Sequence, residues 1–220
     1  MNQPAFQAHV TNDPMFAENA YTLYRRDGGA CWIIDPGLPP QAEQIIAFVR
    51  RKNLKPQAVL LTHAHGDHIA GVDEVRSALG PMPLYLAEPE WPMLGDPKEN
   101  LSVNFDMPLT VGSDDLHDLV EGDTLELDGS NWRVLDTSGH SPGGRSLHCA
   151  EQGMVFVGDA LFAGSVGRVD FHHSDGDRLI ENLHTRLMTL PDETRVLSGH
   201  GPETTIGRER VSNFYLIHGV

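Results

Sequence analysis

Cysteine, basic residues and long apolar runs are all scarce in this sequence. The only two cysteines, Cys31 and Cys149, each lie in an apolar run. This placement predicts buried core residues rather than a disulfide or a catalytic thiol, and it excludes the thiolate cluster of a closed structural zinc site. No apolar run approaches the length of about 20 residues that a membrane-spanning helix needs.

The start of the chain lacks the features of a secretory signal. Residues 1–6 contain neither a basic segment nor an apolar one. No signal peptide is therefore expected, and the cytoplasm is the predicted location.

Basic residues are far fewer than acidic ones. The chain carries 31 acidic and 16 basic residues, which gives a formal net charge of −15. This balance argues against nucleic acid or an anionic membrane as the main partner. Part of the charge would be neutralised by bound cations, and the rest indicates an acidic surface.

With 220 residues, 40% of them hydrophobic, the chain can bury a full core. We expect a single domain over residues 1–220.

Strand and helix patterns alternate along the chain. Residues 30–34 and 58–61 read as buried strands, with a helix opened by Pro39-Pro40 between them and a break at Lys55-Pro56. This order favours a parallel crossover. Further helices are predicted over 69–79, in a segment capped by Asp177, and from about 207 to 217.

The remaining segments complete an architecture of two sheets. A hairpin is expected over 124–135, and further strands over 147–150, 154–157 and 195–197. Residues 88–107 are proline-rich and predict a loop or short helices that overhang a binding site. We expect an α/β fold of the αββα type, in which two mixed sheets pack face to face and helices cover both outer faces.

A histidine cluster follows the strand at 58–61. His63 and His65 are two residues apart, so in extended chain they point to one side. Asp67 and His68 lie where the chain turns, so they can face a second point nearby. This arrangement predicts two metal positions, and its imidazole and carboxylate groups suit zinc, iron or manganese.

Three later strands end in the same way. Residues 132–135 lead to His140, 154–157 to Asp159, and 195–197 to His200, each beside a glycine. A single such residue would be read as an ordinary polar loop residue. With the first cluster, four strand ends direct metal-binding side chains to one rim, where glycine permits crowding that a Cβ would prevent.

These segments resemble the ligand set of the metallo-β-lactamase superfamily. The flanking residues 158–162, 167–171 and 197–205 are similar to those of the glyoxalase II (hydroxyacylglutathione hydrolase) branch, especially its short bacterial members. The resemblance spans residues 19–214. The helical C-terminal extension of the longer glyoxalase II enzymes is not expected in this chain, which ends soon after His200.

The resemblance implies the αββα sandwich and a site for two divalent ions, zinc in the first place and iron or manganese as alternatives. In that family pattern one ion is held by His63, His65 and His140. The other is held by Asp67, His68 and His200, and Asp159 bridges both. The two histidines at 172–173 are interpreted as loop residues rather than as extra metal ligands. The histidines outside this pattern are interpreted as structural.

The chemistry implied is hydrolysis of a thioester, most simply of the S-lactoylglutathione type. A hydroxide shared by two metal ions would attack the carbonyl at neutral pH. The leaving thiolate needs little acid help. Asp67 is the candidate catalytic residue, since it can orient the hydroxide. Arg168 is the candidate for binding a substrate carboxylate, with an ion pair to Asp170 as the structural alternative, and Arg145 is a second candidate.

Other functions fit the same residues. A persulfide dioxygenase would use one non-heme iron held by His63, His140 and Asp159, a set of two histidines and one carboxylate. A lactonase, a β-lactamase and a non-catalytic metal-containing binding module are further alternatives. Metal content and the reaction catalysed distinguish them.

Overall fold

The first sheet is built from the N-terminal half of the chain. The computed structural model describes residues 5–220. Six strands pair in the order β1-β2-β3-β4-β5-β6, antiparallel up to β3 and parallel from β3 onward. The expected crossover is confirmed, because a helix links the parallel pair β3 and β4. The strands are β1 (Gln7–Asn12), β2 (Asn19–Tyr24), β3 (Ala30–Ile34), β4 (Lys55–Leu60), β5 (Leu84–Tyr85) and β6 (Leu116–His117).

The second sheet comes from the C-terminal half. Its six strands follow the order β14-β13-β10-β9-β8-β7, in which only the β10–β13 pair is parallel. A separate hairpin, β11–β12, stands between β10 and β13 in the chain. The strands are β7 (Thr124–Leu127), β8 (Ser130–Asp136), β9 (Arg145–Cys149), β10 (Met154–Gly158), β11 (Leu161–Phe162), β12 (Ser165–Val166), β13 (Arg195–Ser198) and β14 (Thr204–Thr205).

Helices cover the outer face of each sheet. The helices are α1 (Gln41–Arg51), α2 (Gly66–Ile69), α3 (Val72–Leu79), α4 (Trp91–Leu94), α5 (Gly176–Asn182), α6 (Ile206–Ser212) and α7 (Phe214–His218). One core cluster joins α1 and α3 to the first sheet, and another joins α5, α6 and α7 to the second. No helix within residues 5–220 has both the length and the apolar character that crossing a membrane requires.

A third core cluster lies between the two sheets and includes Trp32, Trp132 and Phe156. In β3, Ile33 faces the helices while its neighbours Trp32 and Ile34 face the opposite sheet, as the two-residue period of a strand requires. Both faces of each sheet are therefore covered, and the predicted αββα sandwich is confirmed. Cys31 and Cys149 are buried free thiols, also as predicted.

The predicted helix over 69–79 proved to be two helices, α2 and α3. The helix is interrupted at Gly71, where a Cβ would lie 2.6 Å from the carbonyl oxygen of Pro36. Strand β4 also begins earlier than expected, because Pro56 is accommodated at a register shift opposite Cys31. A bulge of this kind tolerates the missing N–H of proline.

Two further predicted helix boundaries differ from the structure. Asp175, not Asp177, caps α5 by accepting a hydrogen bond from the backbone N–H of Arg178, and the helix continues into a π turn over Leu183–Leu187. The helix expected from 207 to 217 is broken at Asn213, whose extended backbone starts α7 and whose side chain caps it.

The proline-rich segment 88–107 forms short helices, as predicted. It contains two 3₁₀ turns (Glu88–Glu90 and Ser102–Phe105) with α4 between them. Phe105 packs against Phe16, with ring centroids 5.2 Å apart. The segment thereby overhangs the rim where the loops after β4, β8, β10 and β13 meet.

Candidate metal centre

The structure brings all seven predicted ligand residues to one rim of the sandwich. The loop after β4 and the start of α2 contribute four of them, and the loops after β8, β10 and β13 contribute one each. The first sheet thus supplies one half of the site and the second sheet the other. The residues are His63, His65, Asp67, His68, His140, Asp159 and His200.

Three imidazoles form the first group. One ring nitrogen from each of His63, His65 and His140 lies within 4.8 Å of the others. His140 Nε2 and His65 Nδ1 are 3.0 Å apart. The other nitrogen of His140 lies 2.7 Å from the carbonyl oxygen of Arg168, which fixes the ring orientation and leaves Nε2 directed at the group.

Asp67, His68 and His200 form the second group, again with one potential ligand atom each within 4.8 Å. His200 Nε2 lies 3.3 Å from Asp67 Oδ2. The remaining nitrogen of His200 is 2.9 Å from the carbonyl oxygen of Phe16. This contact orients the ring and ties the site to the segment between β1 and β2.

Asp159 lies between the two groups. Its Oδ2 is 3.6 Å from His140 Nε2 in the first group and 3.3 Å from His200 Nε2 in the second. Its Oδ1 is 3.4 Å from His68 Nε2. One carboxylate therefore contacts both groups.

The buried polar atoms of this rim fit divalent cations. His63 Nε2, His68 Nε2 and Asp159 Oδ1 are buried and make no hydrogen bond within the described part of the chain. Burying such atoms without partners is costly. A pair of metal ions would supply the missing partners, and the donors present are the imidazoles and carboxylates that zinc, iron and manganese accept.

The electrostatics of the two groups differ. Burial lowers the pKa of His63 well below its ordinary value and, together with the neighbouring His140, lowers the pKa of His65 to about 3. These rings are neutral and offer lone pairs to a cation. Burial also opposes the charged form of His200, but the carboxylates of Asp159 and Asp67 outweigh it and raise its pKa to about 10.

Glycine allows the rim to be this crowded. A Cβ on Gly199 would lie 2.2 Å from Asp159 Oδ1, and one on Gly167 would lie 2.0 Å from the Asp159 carbonyl oxygen. Real Cβ atoms do not approach so closely. We expected the glycines beside the predicted ligand residues to permit crowding that a Cβ would prevent. The structure confirms this at Gly199.

Sequence analysis missed two carboxylates behind the rim. Asp35, directly after β3, accepts hydrogen bonds from the backbone N–H of Thr62 at 2.8 Å and from its hydroxyl at 2.6 Å, and lies 3.1 Å from His68 Nδ1. The buried Glu18 is 3.7 Å from the same nitrogen. Asp35 follows an apolar strand and precedes Pro-Gly. This layout is close to the one that marked the predicted ligand residues, so the sequence could have revealed Asp35.

A third missed carboxylate, Glu90, joins the two halves of the site. It is buried and accepts hydrogen bonds from the backbone N–H of Ala64 at 3.0 Å and of Gly143 at 2.7 Å. Burial raises the pKa of this carboxyl group. Glu90 thereby links the His63–His65 segment to the loop that carries His140.

Replacing Asp35 by alanine is expected to weaken metal binding by about 10- to 100-fold, the usual effect of losing a carboxylate that orients a ligating histidine. Competition with a chromophoric chelator measures this change. Asp27→Ala, on an exposed turn, is the control. Equal affinities of the Asp35→Ala and control variants would show that His68 does not need this partner.

An open cavity of about 690 Å³ leads to the rim. Its wall is largely aromatic and apolar, and the ligand residues lie at its floor. The wall residues are Phe16, Leu101, Asn104, Phe105, Phe162, Arg168 and Phe171. Such a cavity is large enough for a small organic substrate.

Both alternatives for Arg168 find support in its position. Its side chain lines the cavity, is 69% exposed, and lies over the ring of Phe171 at 4.6 Å. It also donates two hydrogen bonds to Asp170, at 2.9 and 2.8 Å. Arg145, by contrast, is largely buried and donates to Asp136 and to the carbonyl oxygen of Leu119.

A two-sheet sandwich with a rim of histidines and aspartates at its strand ends defines a class of metal-binding hydrolases. Residues 16–200 match the model of the metallo-beta-lactamase superfamily. The chain belongs to this family, as the sequence motifs indicated.

Two curated relatives are similar over nearly the whole chain. The protein named "Probable metallo-hydrolase YqgX" of Bacillus subtilis is 39% identical over 199 residues, which cover 90% of this chain and 92% of the relative. Hydroxyacylglutathione hydrolase GloC of Haemophilus influenzae is 32% identical over 202 residues, which cover 91% and 93%.

Two solved structures share the fold. The BLEG-1 B3 metallo-beta-lactamase superimposes with a TM-score of 0.87 at 39% identity, covering 96% of this chain and 99% of its own. TTHA1623, solved in a di-iron-bound form, superimposes with a TM-score of 0.80 at 36% identity, covering 94% and 100%.

Proposed function

We propose that this protein is a metal-dependent hydrolase that cleaves a thioester, most simply one of the S-lactoylglutathione type. The observation that carries the proposal is the position of Asp159, whose carboxylate contacts both histidine groups. The similarity to a hydroxyacylglutathione hydrolase supports the substrate class.

In this proposal the rim holds two divalent ions. His63, His65 and His140 would hold the first, Asp67, His68 and His200 would hold the second, and Asp159 would contribute to both. A related structure with two iron ions supports the number of ions. Zinc, iron and manganese all suit these donors.

Two such ions, when bound, supply a hydroxide at neutral pH and polarise a carbonyl group. The residues of the chain would position the nucleophile and the substrate. Asp67, which lies 3.3 Å from His200, would help to hold the second ion and would orient the attacking water. The aromatic wall would pack against the substrate and hold it over the rim. A thiol has a pKa of about 8.5, so its thiolate departs without a protein acid.

Metal content measured together with activity on one purified sample tests this function. We expect two ions per chain, and loss of thioester absorbance when S-lactoylglutathione is added. Oxygen uptake with glutathione persulfide and a single iron per chain would instead indicate the dioxygenase. Hydrolysis of a chromogenic cephalosporin without thioester cleavage would indicate a β-lactamase, the activity named for the structural neighbour BLEG-1.

Replacing Arg168 by alanine is expected to raise KM for a carboxylate-bearing thioester by up to about fivefold, because an exposed ion pair contributes up to about 1 kcal/mol. The value of kcat should change little, since the interaction is equal in ground and transition states. Steady-state kinetics with Arg208→Ala, an exposed arginine on α6, as control measure the effect. An unchanged KM would assign Arg168 to the Asp170 pair alone.

A further inference from the structure

A second cluster of metal-binding side chains lies outside the seven-residue rim. One ligand atom from each of Glu99, His172 and His173 lies within 4.8 Å of the other two. Glu99 Oε2 contacts His173 Nε2 directly, and the rings of the two histidines are 4.3 Å apart with a 49° tilt. The ligand atoms of each of the two histidine groups of the rim also lie within 4.8 Å of one another.

The cluster spans a cleft between two loops. Glu99 lies in the overhanging segment, between α4 and the 3₁₀ turn Ser102–Phe105, and the histidines lie in the turn after Phe171. The cleft between them has a volume of about 20 Å³. This is room for about one water molecule or one ion.

Both loops form hydrogen bonds with segments that carry rim residues. The hydroxyl of Ser174 donates to the carbonyl oxygen of His140 at 2.8 Å, and Asp175 N donates to that of Gly139 at 2.7 Å. On the other side, the N–H of Gly66, beside His65, donates to the carbonyl oxygen of Asn100 at 2.7 Å. A link between Glu99 and the histidines would therefore join both halves of the rim.

We propose that Glu99, His172 and His173 bind a third divalent ion of the zinc class, which cross-links the two loops. Two imidazoles and one carboxylate are a donor set found at protein zinc sites, with the remaining positions filled by water. Glu99 and His173 are 34% and 42% exposed, so water can reach the ion and its affinity should be below that of the buried rim. Their turn position agrees with the interpretation of these histidines as loop residues, but the proposal gives them the ligand role that this interpretation set aside.

Equilibrium dialysis of the holoprotein against increasing free zinc, followed by elemental analysis, tests the third site. Wild-type protein should bind about one ion per chain more than the His172→Ala/His173→Ala double variant, because that variant lacks both imidazole donors. His117→Ala, an exposed histidine that contacts Asp115 elsewhere on the surface, is the matched control and should bind as wild type does.

The Glu99→Gln variant separates a three-ligand site from a surface histidine pair. It should lose at least about tenfold in affinity for the extra ion, since even an outer-shell partner is worth about 10- to 100-fold. Zinc should also slow hydrogen exchange in residues 98–106 of wild type but not of the double variant. Equal zinc binding by wild type and double variant, or unchanged affinity in Glu99→Gln, would overturn the proposal. Neither readout depends on hydrolase activity.

Discussion

Replacement of Asp159 by alanine is expected to release metal from the rim and to lower kcat/KM by about a thousandfold or more, beyond the 100- to 1,000-fold cost of losing one electrostatic catalytic group. The reason is its position: its carboxylate contacts His68, His140 and His200, so both proposed metal positions would lose a donor together. Elemental analysis and thioester kinetics on the same sample measure the two losses.

The variant should remain folded, because Asp159 belongs to none of the three hydrophobic clusters. Circular dichroism and thermal unfolding check this point. Asp177→Ala, an exposed aspartate on α5, should keep both metal and activity. His63→Ala should behave like Asp159→Ala. Full turnover in either rim variant would refute the proposed site.

Replacement of Trp132 by alanine is expected to cost about 3–5 kcal/mol of unfolding free energy. The Trp132 side chain is fully buried between the two sheets and packs against Phe6, Trp32 and Phe156, with ring centroids 5.7, 6.1 and 5.8 Å away. Its removal leaves a cavity where the two halves of the sandwich meet. Urea denaturation measures the loss.

Two comparisons make this result interpretable. Trp132→Phe should cost clearly less than the alanine variant, because it keeps an aromatic ring in the space. Phe214→Ala, at a 61% exposed position on α7, should change stability by less than about 0.5 kcal/mol. A loss below about 1 kcal/mol in Trp132→Ala would show that the core between the sheets closes around the missing ring.

Local pattern predicted the positions of the rim residues well, because each segment that carries them begins within a few residues of the end of a buried strand. Apolar residues mark a strand, and the strand's end determines where the next side chain appears. The same reasoning was less exact at helix ends. Asp175 and Asp177 are both acceptable caps, and only the extended backbone of Asp175 selects it. In the same way, Asn213 could have continued a helix and instead divides it.

The sequence by itself determined the two sheets, the covering helices and the histidine and aspartate residues at the strand ends, since these depend on periodicity and on neighbours along the chain. Only the tertiary structure decided which groups lie behind and beside the rim. Asp35 contacts His68 33 residues away, Glu90 joins Ala64 to Gly143, and Glu99 meets His173 74 residues away. Such contacts depend on how the loops pack on the folded sandwich. A pattern along the chain can mark Asp35 as a carboxylate at a strand end, but it does not give the partner that this carboxylate contacts.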